Sequence, residues 1–519
     1  MTDLQARRLH LLNQLDSAKT RPARNQLGQF ATPPRVADEM MRHALSYVQK
    51  QAIRYLEPGF GTGAFFNRLI EAMEDKADGS RILEARGYEI DPHYAAPVAR
   101  LYSETVLDLR VTDFTEAKPE PFDVILCNPP YVRHHHLPSE KKVALADAVQ
   151  KRYGIRPTGL TGLYNYFMML GEAWLSPDGI AAWLVPSEFL DVNYGVAVKS
   201  FLLRQVCLER IHLYESEDVQ FEDALVSSAV VWYRKGPAAP DKPVELSFGG
   251  SMEKPASRRF VKRRTLSPNA KWTRLIKQNF LQPTPAVSQS HKPYLLKDFF
   301  VVKRGIATGD NQFFILSEGQ VAERAIPKAM LSPVLPSPRY LKSDVVESDS
   351  QGVPANIDRL FLLNCRQTPD MLAANHVTTW HYLQSGVGTV SEKYLCSSRR
   401  LWYLQEEREA APLLCTYMGR GTKADKRPFR FILNQSKAVA TNSYLMLYPK
   451  PFWKQRLTRD PGLLRQVWEL LNNITTDDLI MEGRTYGGGL EKIEPSELGN
   501  VPVRQLAELL DYSATPLFA

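Results

Sequence analysis

The chain has 519 residues, 44% of them hydrophobic and 24% charged, a composition that belongs to globular proteins and excludes disordered and fibrous ones. Its five cysteines (Cys127, Cys207, Cys365, Cys396, Cys415) include no C-x-x-C pair; neither a disulfide framework nor a thiolate zinc site is expected, and a reducing cytoplasmic setting is. No secretory leader opens the sequence and no apolar run reaches the roughly 20 residues of a membrane span, so no membrane association is expected.

The length suggests two or three domains. Net charge is +8, unevenly spread: residues 1–240 hold 27 basic and 30 acidic side chains (net −3), residues 241–519 hold 38 and 27 (net +11). This division predicts a catalytic or small-molecule domain over 1–240 and a polyanion-binding domain over 241–519, nucleic acid being the obvious polyanion.

In chain order, strands are predicted at 52–56, 81–88, 122–126, 179–185 and 225–233, each short, apolar and rich in β-branched or aromatic residues. Helical spacing of three and four runs over 64–74 and 163–175 between them. The alternation predicts an α/β first half with a parallel, doubly wound sheet. The texture breaks at Arg234-Lys235-Gly236-Pro237-Ala238-Ala239-Pro240-Asp241-Lys242-Pro243, where Pro and Gly punctuate, and a domain linker is expected there. The basic stretch 258–264 follows as a candidate nucleic-acid border. Beyond it, short apolar runs and many aromatics predict an α+β second domain.

The chemistry sits at strand ends. The first strand runs into Glu57-Pro58-Gly59-Phe60-Gly61-Thr62-Gly63, where alternate glycines allow a tight turn and close approach to a ligand. The second ends in Glu89-Ile90-Asp91, an acid placed where doubly wound folds bind ribose hydroxyls. Asp113-Phe114 offers a carboxylate for an adenine amino group beside an aromatic ring. The loop has neither the G-x-G-x-x-G of dinucleotide enzymes nor a phosphate-binding lysine. Glu57 would repel a pyrophosphate and suit a ligand bearing an ammonium or sulfonium group, so S-adenosylmethionine fits better than NAD or ATP.

The strand at 122–127 ends in Asn128-Pro129-Pro130-Tyr131. Successive prolines hold the Asn128 side-chain carbonyl and the Pro129 carbonyl in a stiff turn as two acceptors. A conjugated amine is a poor nucleophile, and two acceptors on its hydrogens favour pyramidal nitrogen and stabilise the positive charge that grows during attack on a methyl group. Tyr131 supplies a face for stacking.

Taken together, the sequence resembles the adenine-N6 DNA methyltransferases of restriction-modification systems over residues 28–240. Gly28-Gln29-Phe30-Ala31-Thr32-Pro33-Pro34 looks like the family's N-terminal cofactor motif, Glu57 to Gly63 like its glycine loop, Glu89 and Asp113-Phe114 like its ribose and adenine contacts, and Asn128 to Tyr131 like its catalytic motif. With 65 positions from Gly63 to Asn128, no recognition domain fits between them, which resembles the gamma group, whose specificity domain is C-terminal. Leu163 to Phe167 and Leu175 to Pro186 resemble the elements that come next, and Phe221 falls where the second base-stacking aromatic sits, with Tyr214 as alternative. The segments 303–311, 399–403 and 486–490 resemble parts of recognition domains.

The resemblance implies S-adenosylmethionine held by Phe30, Thr32, Pro33, Glu57, Gly59, Gly61, Gly63, Glu89, Ile90, Asp113, Phe114 and Asn128. It implies double-stranded DNA as substrate, catalysis by Asn128, Pro129, Tyr131 and Phe221 on a flipped-out adenine, and a possible separately encoded endonuclease as partner. His134-His135-His136 is expected to be a solvated loop rather than a metal site, within a mobile basic flap spanning 132–161. Competing readings keep the chemistry on RNA or a protein glutamine, or make the chain a DNA-binding restriction subunit. The latter is disfavoured because only 27 residues precede Gly28 and no P-D…E-x-K set appears in 241–519.

Overall fold

The computed structural model describes residues 3–74, 79–215, 227–277, 294–421, 427–486 and 489–510. The chain divides into two compact units, residues 1–287 with 486–488, and residues 288–485 with 489–519.

The first unit is built on a nine-stranded sheet of order β3-β2-β1-β4-β5-β7-β6-β8-β9. Its strands are β1 (Ala52–Pro58), β2 (Arg81–Tyr88), β3 (Leu107–Arg110), β4 (Phe122–Cys127), β5 (Leu175–Pro186), β6 (Cys207–Leu213), β7 (Ser228–Arg234), β8 (Pro243–Gly250) and β9 (Pro255–Lys262). Strands β1 to β5 are mutually parallel, as expected. β7 runs antiparallel to both β5 and β6, so the sheet is mixed rather than wholly parallel. Every residue of β4 is buried, as a central strand covered on both faces requires.

The helices α1 (Asp3–Ser17), α2 (Arg21–Leu27), α3 (Pro34–Tyr47), α4 (Ala64–Glu74), α5 (Pro92–Leu101), α6 (Ser139–Tyr153), α7 (Leu163–Gly171), α8 (Gly195–Arg204) and α9 (Trp272–Lys277) belong to this unit. The helix expected over 163–175 is α7 followed by a 3-10 turn, Glu172–Trp174, and Leu175 already opens β5.

The linker expected at 234–243 is a turn inside this unit. After it, β8 pairs parallel with β6 and β9 antiparallel with β8, and the Met252 N–H donates to the Glu39 carboxylate of α3 at 3.0 Å. Proline and glycine there turn the chain without ending the domain. The charge division shifts accordingly: residues 241–287 carry 10 basic and 3 acidic side chains (net +7), and residues 288–519 carry 28 and 24 (net +4).

The second unit is α+β. A five-stranded, mainly antiparallel sheet joins Phe300–Arg304, Tyr444–Pro449, Leu413–Thr416, Phe431–Asn434 and Val345–Val346. Helices Pro451–Arg459 and Pro461–Asn472 share a core with it through Trp453, Leu457 and Val467. A three-stranded sheet of Ile315–Ser317, Leu360–Leu363 and Leu331–Val334 forms a separate core. Among the described residues, no helix is long and apolar enough to cross a membrane.

Candidate active site

Between β1 and β4 the strand order reverses, and a doubly wound sheet opens a crevice beyond the carboxyl ends of its strands at such a point. The expected site residues lie there. After β1, Gly59, Gly61 and Gly63 take φ of +68°, +53° and +70°, and a Cβ on Gly63 would strike the Phe60 ring at 2.6 Å. The loop feeds α4, whose exposed N–H groups need acceptors. Glu57 supplies them: its carboxylate accepts from Phe66 N at 2.8 Å, Phe65 N at 3.4 Å and the Tyr55 hydroxyl at 2.9 Å. Burial pushes its carboxyl up to about 8 despite those bonds.

After β2, the buried Glu89 accepts from Gly61 N and Asp91 N, both at 2.9 Å, which ties the glycine loop to the neighbouring strand; burial raises its pKa. Ile90 beside it is 58% exposed. Asp91 caps α5 and also receives Gln29 Nε2 at 2.8 Å and the Lys19 ammonium.

The Lys19 contact comes from the first 27 residues, a segment that sequence reasoning left without a role. Arg8, buried in α1, donates to Thr62 Oγ1 in the glycine loop at 3.1 Å, and Asp16 accepts from the Tyr94 hydroxyl at 2.7 Å. Arg8 stands in a helix that also carries Leu4, Leu9, Leu11, Leu12 and Leu15, and its own burial is not visible in sequence.

After β3, Asp113 Oδ1 accepts from Thr115 N at 2.8 Å and Thr115 Oγ1 at 2.7 Å, and Oδ2 accepts from the Lys141 ammonium of α6. Burial raises the Asp113 pKa, and these partners more than offset it, leaving the carboxyl below its usual range. Phe114 is buried against Tyr88, Phe167 and Trp174. The stretch expected to be a mobile flap thus holds an ordered helix and part of the site wall. His134–His136 form one 3-10 turn, and among the described residues no group of three or more His, Cys, Asp and Glu is placed to hold a metal ion.

After β4, Asn128 Nδ2 donates to the Phe30 carbonyl at 2.8 Å and to Thr32 Oγ1 at 3.2 Å. Asn128 Oδ1 is buried with no hydrogen-bond partner among the described residues. Gly28, at φ +65°, receives Tyr131 N on its carbonyl at 3.1 Å, and a Cβ there would lie 2.4 Å from that nitrogen. Tyr131 is buried, its hydroxyl donating to the Leu184 carbonyl at 3.1 Å and its ring 5.5 Å from that of Phe30. Phe221 lies outside the described residues. Tyr214, its alternative, is buried with its ring 4.6 Å from His212.

One cavity of about 310 Å³ joins these parts, of a size with small-ligand sites. Phe30, Thr32, Glu57, Gly59, Gly61, Glu89, Ile90, Asp113, Phe114 and Asn128 line it; Pro33, Gly63, Pro129 and Tyr131 do not. Its wall carries four carboxylates (Asp16, Glu57, Glu89, Asp113) and one lysine, Lys141, already paired with Asp113. Such a wall disfavours a polyphosphate and suits a nucleoside with hydroxyls, an amino group and a cationic tail.

Strand order and site together define a Rossmann-like methyltransferase domain, followed by an α+β domain. Residues 73–220 match the family described as Eco57I restriction-modification methylase, and residues 269–516 match the C-terminal domain of Type II methyltransferase M.Eco57I. The two stretches of the chain are thus similar to two parts of one restriction-modification methylase family. It is 24% identical over 499 residues to Type II methyltransferase M.AccI of Acinetobacter calcoaceticus (92% of this chain, 85% of the relative). It is 27% identical over 502 residues to Type II methyltransferase M.XamI of Xanthomonas campestris pv. amaranthicola (93% and 86%). Among solved structures, the Type IIL restriction-modification enzyme MmeI in complex with DNA matches with a TM-score of 0.50 at 11% identity, over 90% of this chain and 63% of that one. The DrdV–DNA complex also matches at 0.50, with 12% identity over 98% and 59%. The chain therefore spans about three fifths of those longer proteins, and the likeness is one of fold.

Proposed function

We propose that the protein is a site-specific DNA methyltransferase that transfers a methyl group from S-adenosylmethionine to the N6 amino group of an adenine turned out of the duplex. The observation that carries this reading is Asn128 Oδ1, a buried acceptor without a partner among the described residues, at the end of β4 beside a cavity walled with carboxylates. A buried unsatisfied acceptor costs about 1–3 kcal/mol, a cost offset when a substrate N–H arrives.

In this reading Glu89 accepts from ribose hydroxyls, Asp113 accepts from the adenine amino group, and Ile90 and Phe114 hold the purine face. The acidic wall at Glu57 suits the cationic end. Bound there, the cofactor supplies an electrophilic methyl group. Asn128 Oδ1 and the Pro129 carbonyl accept the two hydrogens of the target amine, direct its lone pair and stabilise its growing charge. Tyr131, fixed by Leu184, stiffens the turn and borders the base, with Phe221 the second stacking ring. The second unit reads the target sequence, consistent with relatives that are Type II methyltransferases, and a separate endonuclease is the expected partner of such a system.

Incubation with radiolabelled S-adenosylmethionine and mixed-sequence duplex DNA tests the reading. Label is expected in N6-methyladenine at one sequence. Label in cytosine, RNA or protein, with none in adenine of DNA, sinks it.

A further inference from the structure

The basic stretch at 258–264, expected as a nucleic-acid border, ends far from the cavity. β1, β4, β5, β6 and β8 run in one direction, β7 and β9 in the other. The cavity lies at the carboxyl ends of β1 and β4. The starts of β6 and β8 and the ends of β7 and β9 therefore form the opposite rim, about 20–25 Å away for strands of 7 and 8 residues.

Cations gather along that rim. Arg234 and Lys242 both lie on Glu209, at 3.7 and 2.9 Å, and Lys262 and Arg264 both lie on Asp241, at 3.9 and 2.9 Å. One carboxylate compensates one cation, so each pair leaves a positive charge over. Arg204, in the last turn of α8, Lys235 and Arg263 have no carboxylate partner among the described residues. Lys235 donates to the Leu175 carbonyl and Arg263 to those of Ala239 and Leu203, bonds that hold a cation in place without neutralising it. With the exposed Asp178 included, seven cations stand against three carboxylates, net +4. The side chains of Lys262 and Arg264 are 58% and 59% exposed.

From β7 to β9 is three strand spacings, about 14 Å. Like charges so crowded repel, and a polyanion relieves them. Duplex DNA carries one charge per about 1.7 Å of its axis, so 14 Å of it holds about eight phosphates, about half of them on one face, which matches four uncompensated cations. A duplex seated at the catalytic end lies across the sheet from this rim, so the cations meet a different segment. Building on the reading of DNA as substrate, we propose that the rim is a second, sequence-independent duplex-binding site, through which one protein holds two DNA segments.

The test uses the full chain and one short mixed-sequence duplex, labelled in separate batches with a donor or an acceptor dye. Wild type is expected to bring the two dyes together at low salt, with energy transfer greatest at two duplexes per protein. With four phosphates contacted, affinity for the second duplex should fall about 10²-fold between about 50 and 200 mM salt. Arg204→Gln, Lys262→Gln and Arg264→Gln together should weaken the second binding about tenfold or more, with anisotropy of the first duplex and methylation unchanged. Arg204→Lys with Arg264→Lys keeps the charge and should keep the transfer. Arg204→Glu alone, at an exposed helix end, should weaken it several-fold and decides the matter if the triple variant does not fold. Transfer that survives these charge changes, as a dimer of the protein would give, overturns the proposal. Absence of transfer in wild type overturns it too and leaves the rim to an acidic protein partner. Methylation tests the substrate reading separately: its absence from DNA removes that reading, whereas methylation without transfer removes this proposal alone.

Discussion

Asn128 Nδ2 donates to Thr32 Oγ1 at 3.2 Å, and this bond, with the one to Phe30, decides which way the amide faces. The nitrogen turns toward the N-terminal segment, and the oxygen is left without a hydrogen-bond partner among the described residues. Asn128→Ala is expected to lose about 10²–10³-fold in kcat, the usual effect of removing one group that stabilises developing charge, while retaining cofactor binding. Thr32→Val removes one of two bonds orienting the amide and should cost about 1 kcal/mol, roughly fivefold. Single-turnover rates alongside calorimetric cofactor binding check both; parallel loss of rate and binding in Asn128→Ala would point to a folding role.

Glu57 predicts a pH dependence. Its carboxyl is pushed up to about 8 by burial, above its unfolded value, so the folded protein binds more protons than the unfolded one between about pH 4.5 and 8. Its contribution to stability is present below that window and falls as pH rises through it. Relative to Glu57→Gln, the ligand-free wild type should lose thermal stability from about pH 5 to pH 8. A cationic ligand favours the ionised carboxylate, so affinity for S-adenosylmethionine should rise over the same range in wild type and stay flatter in the variant. Melting curves and titrations at several pH values decide it.

Two glycines separate strain from access. Gly28 and Gly61 both have positive φ, but a Cβ on Gly28 meets the Tyr131 backbone at 2.4 Å, whereas one on Gly61 meets nothing within 4 Å and points into space beside the cavity. Both changes carry left-handed backbone strain, about 1–3 kcal/mol, but Gly28→Ala adds the clash with Tyr131, should cost more stability and should displace the Asn128 turn. Gly61→Ala should lose proportionally more cofactor affinity than stability. Denaturant melts and binding curves for both variants test the contrast; equal profiles would contradict it.

What sequence could show depended on whether the signal was local. The strands 52–56 and 122–126 and the helix 64–74 were legible because their periodicity and bounding turns lie within one short window. The glycine loop and Asn128-Pro129-Pro130-Tyr131 were legible for the same reason. Arg8 was not: its partner Thr62 is 54 positions away, and nothing in α1 marks it as buried. Strands β8 and β9 were hidden because β9 alternates half-buried and exposed residues with two arginines and one lysine among them, a pattern that reads as a solvated basic stretch beside a Pro-rich turn. Lys141 was hidden in a segment whose charge resembled a loose flap, since an ion pair with Asp113 is a tertiary fact.

The displaced boundary changes a truncation experiment. A fragment ending at Pro240 loses β8 and β9 from the sheet and the Met252–Glu39 bond, and is expected to be insoluble or to melt without cooperativity. A fragment ending at Val287 should fold and bind cofactor. It retains the net +7 of residues 241–287, so we expect it to bind duplex DNA without sequence preference and with a steep fall between about 50 and 200 mM salt, as counterion release predicts. Site-specific methylation should be lost. Fluorescence anisotropy across salt, with methylation mapping, checks this; retained site specificity would move target recognition out of residues 288–519.

The final prediction is that the target adenine leaves the helix. Asn128 Oδ1 is buried at a strand end, and the turn that carries it is held from behind by Tyr131, whose hydroxyl is pinned to Leu184 and whose ring packs on Phe30. A turn so fixed has little freedom to travel into a groove, and an amino group engaged in pairing offers only one free hydrogen to its two acceptors. The base must come to the turn. Unstacking and unpairing cost a few kcal/mol, and stacking on an aromatic side chain returns about 1–3 kcal/mol. A duplex with 2-aminopurine at the target position should therefore change fluorescence on binding. If Phe221 is the ring that takes the base, Phe221→Ala should weaken binding to matched duplex more than to a duplex mismatched at that position, because the mismatch has already lost part of its pairing energy. Equal losses would remove Phe221 from the role, and Tyr214 would not replace it, since its ring is already packed against His212 in the core.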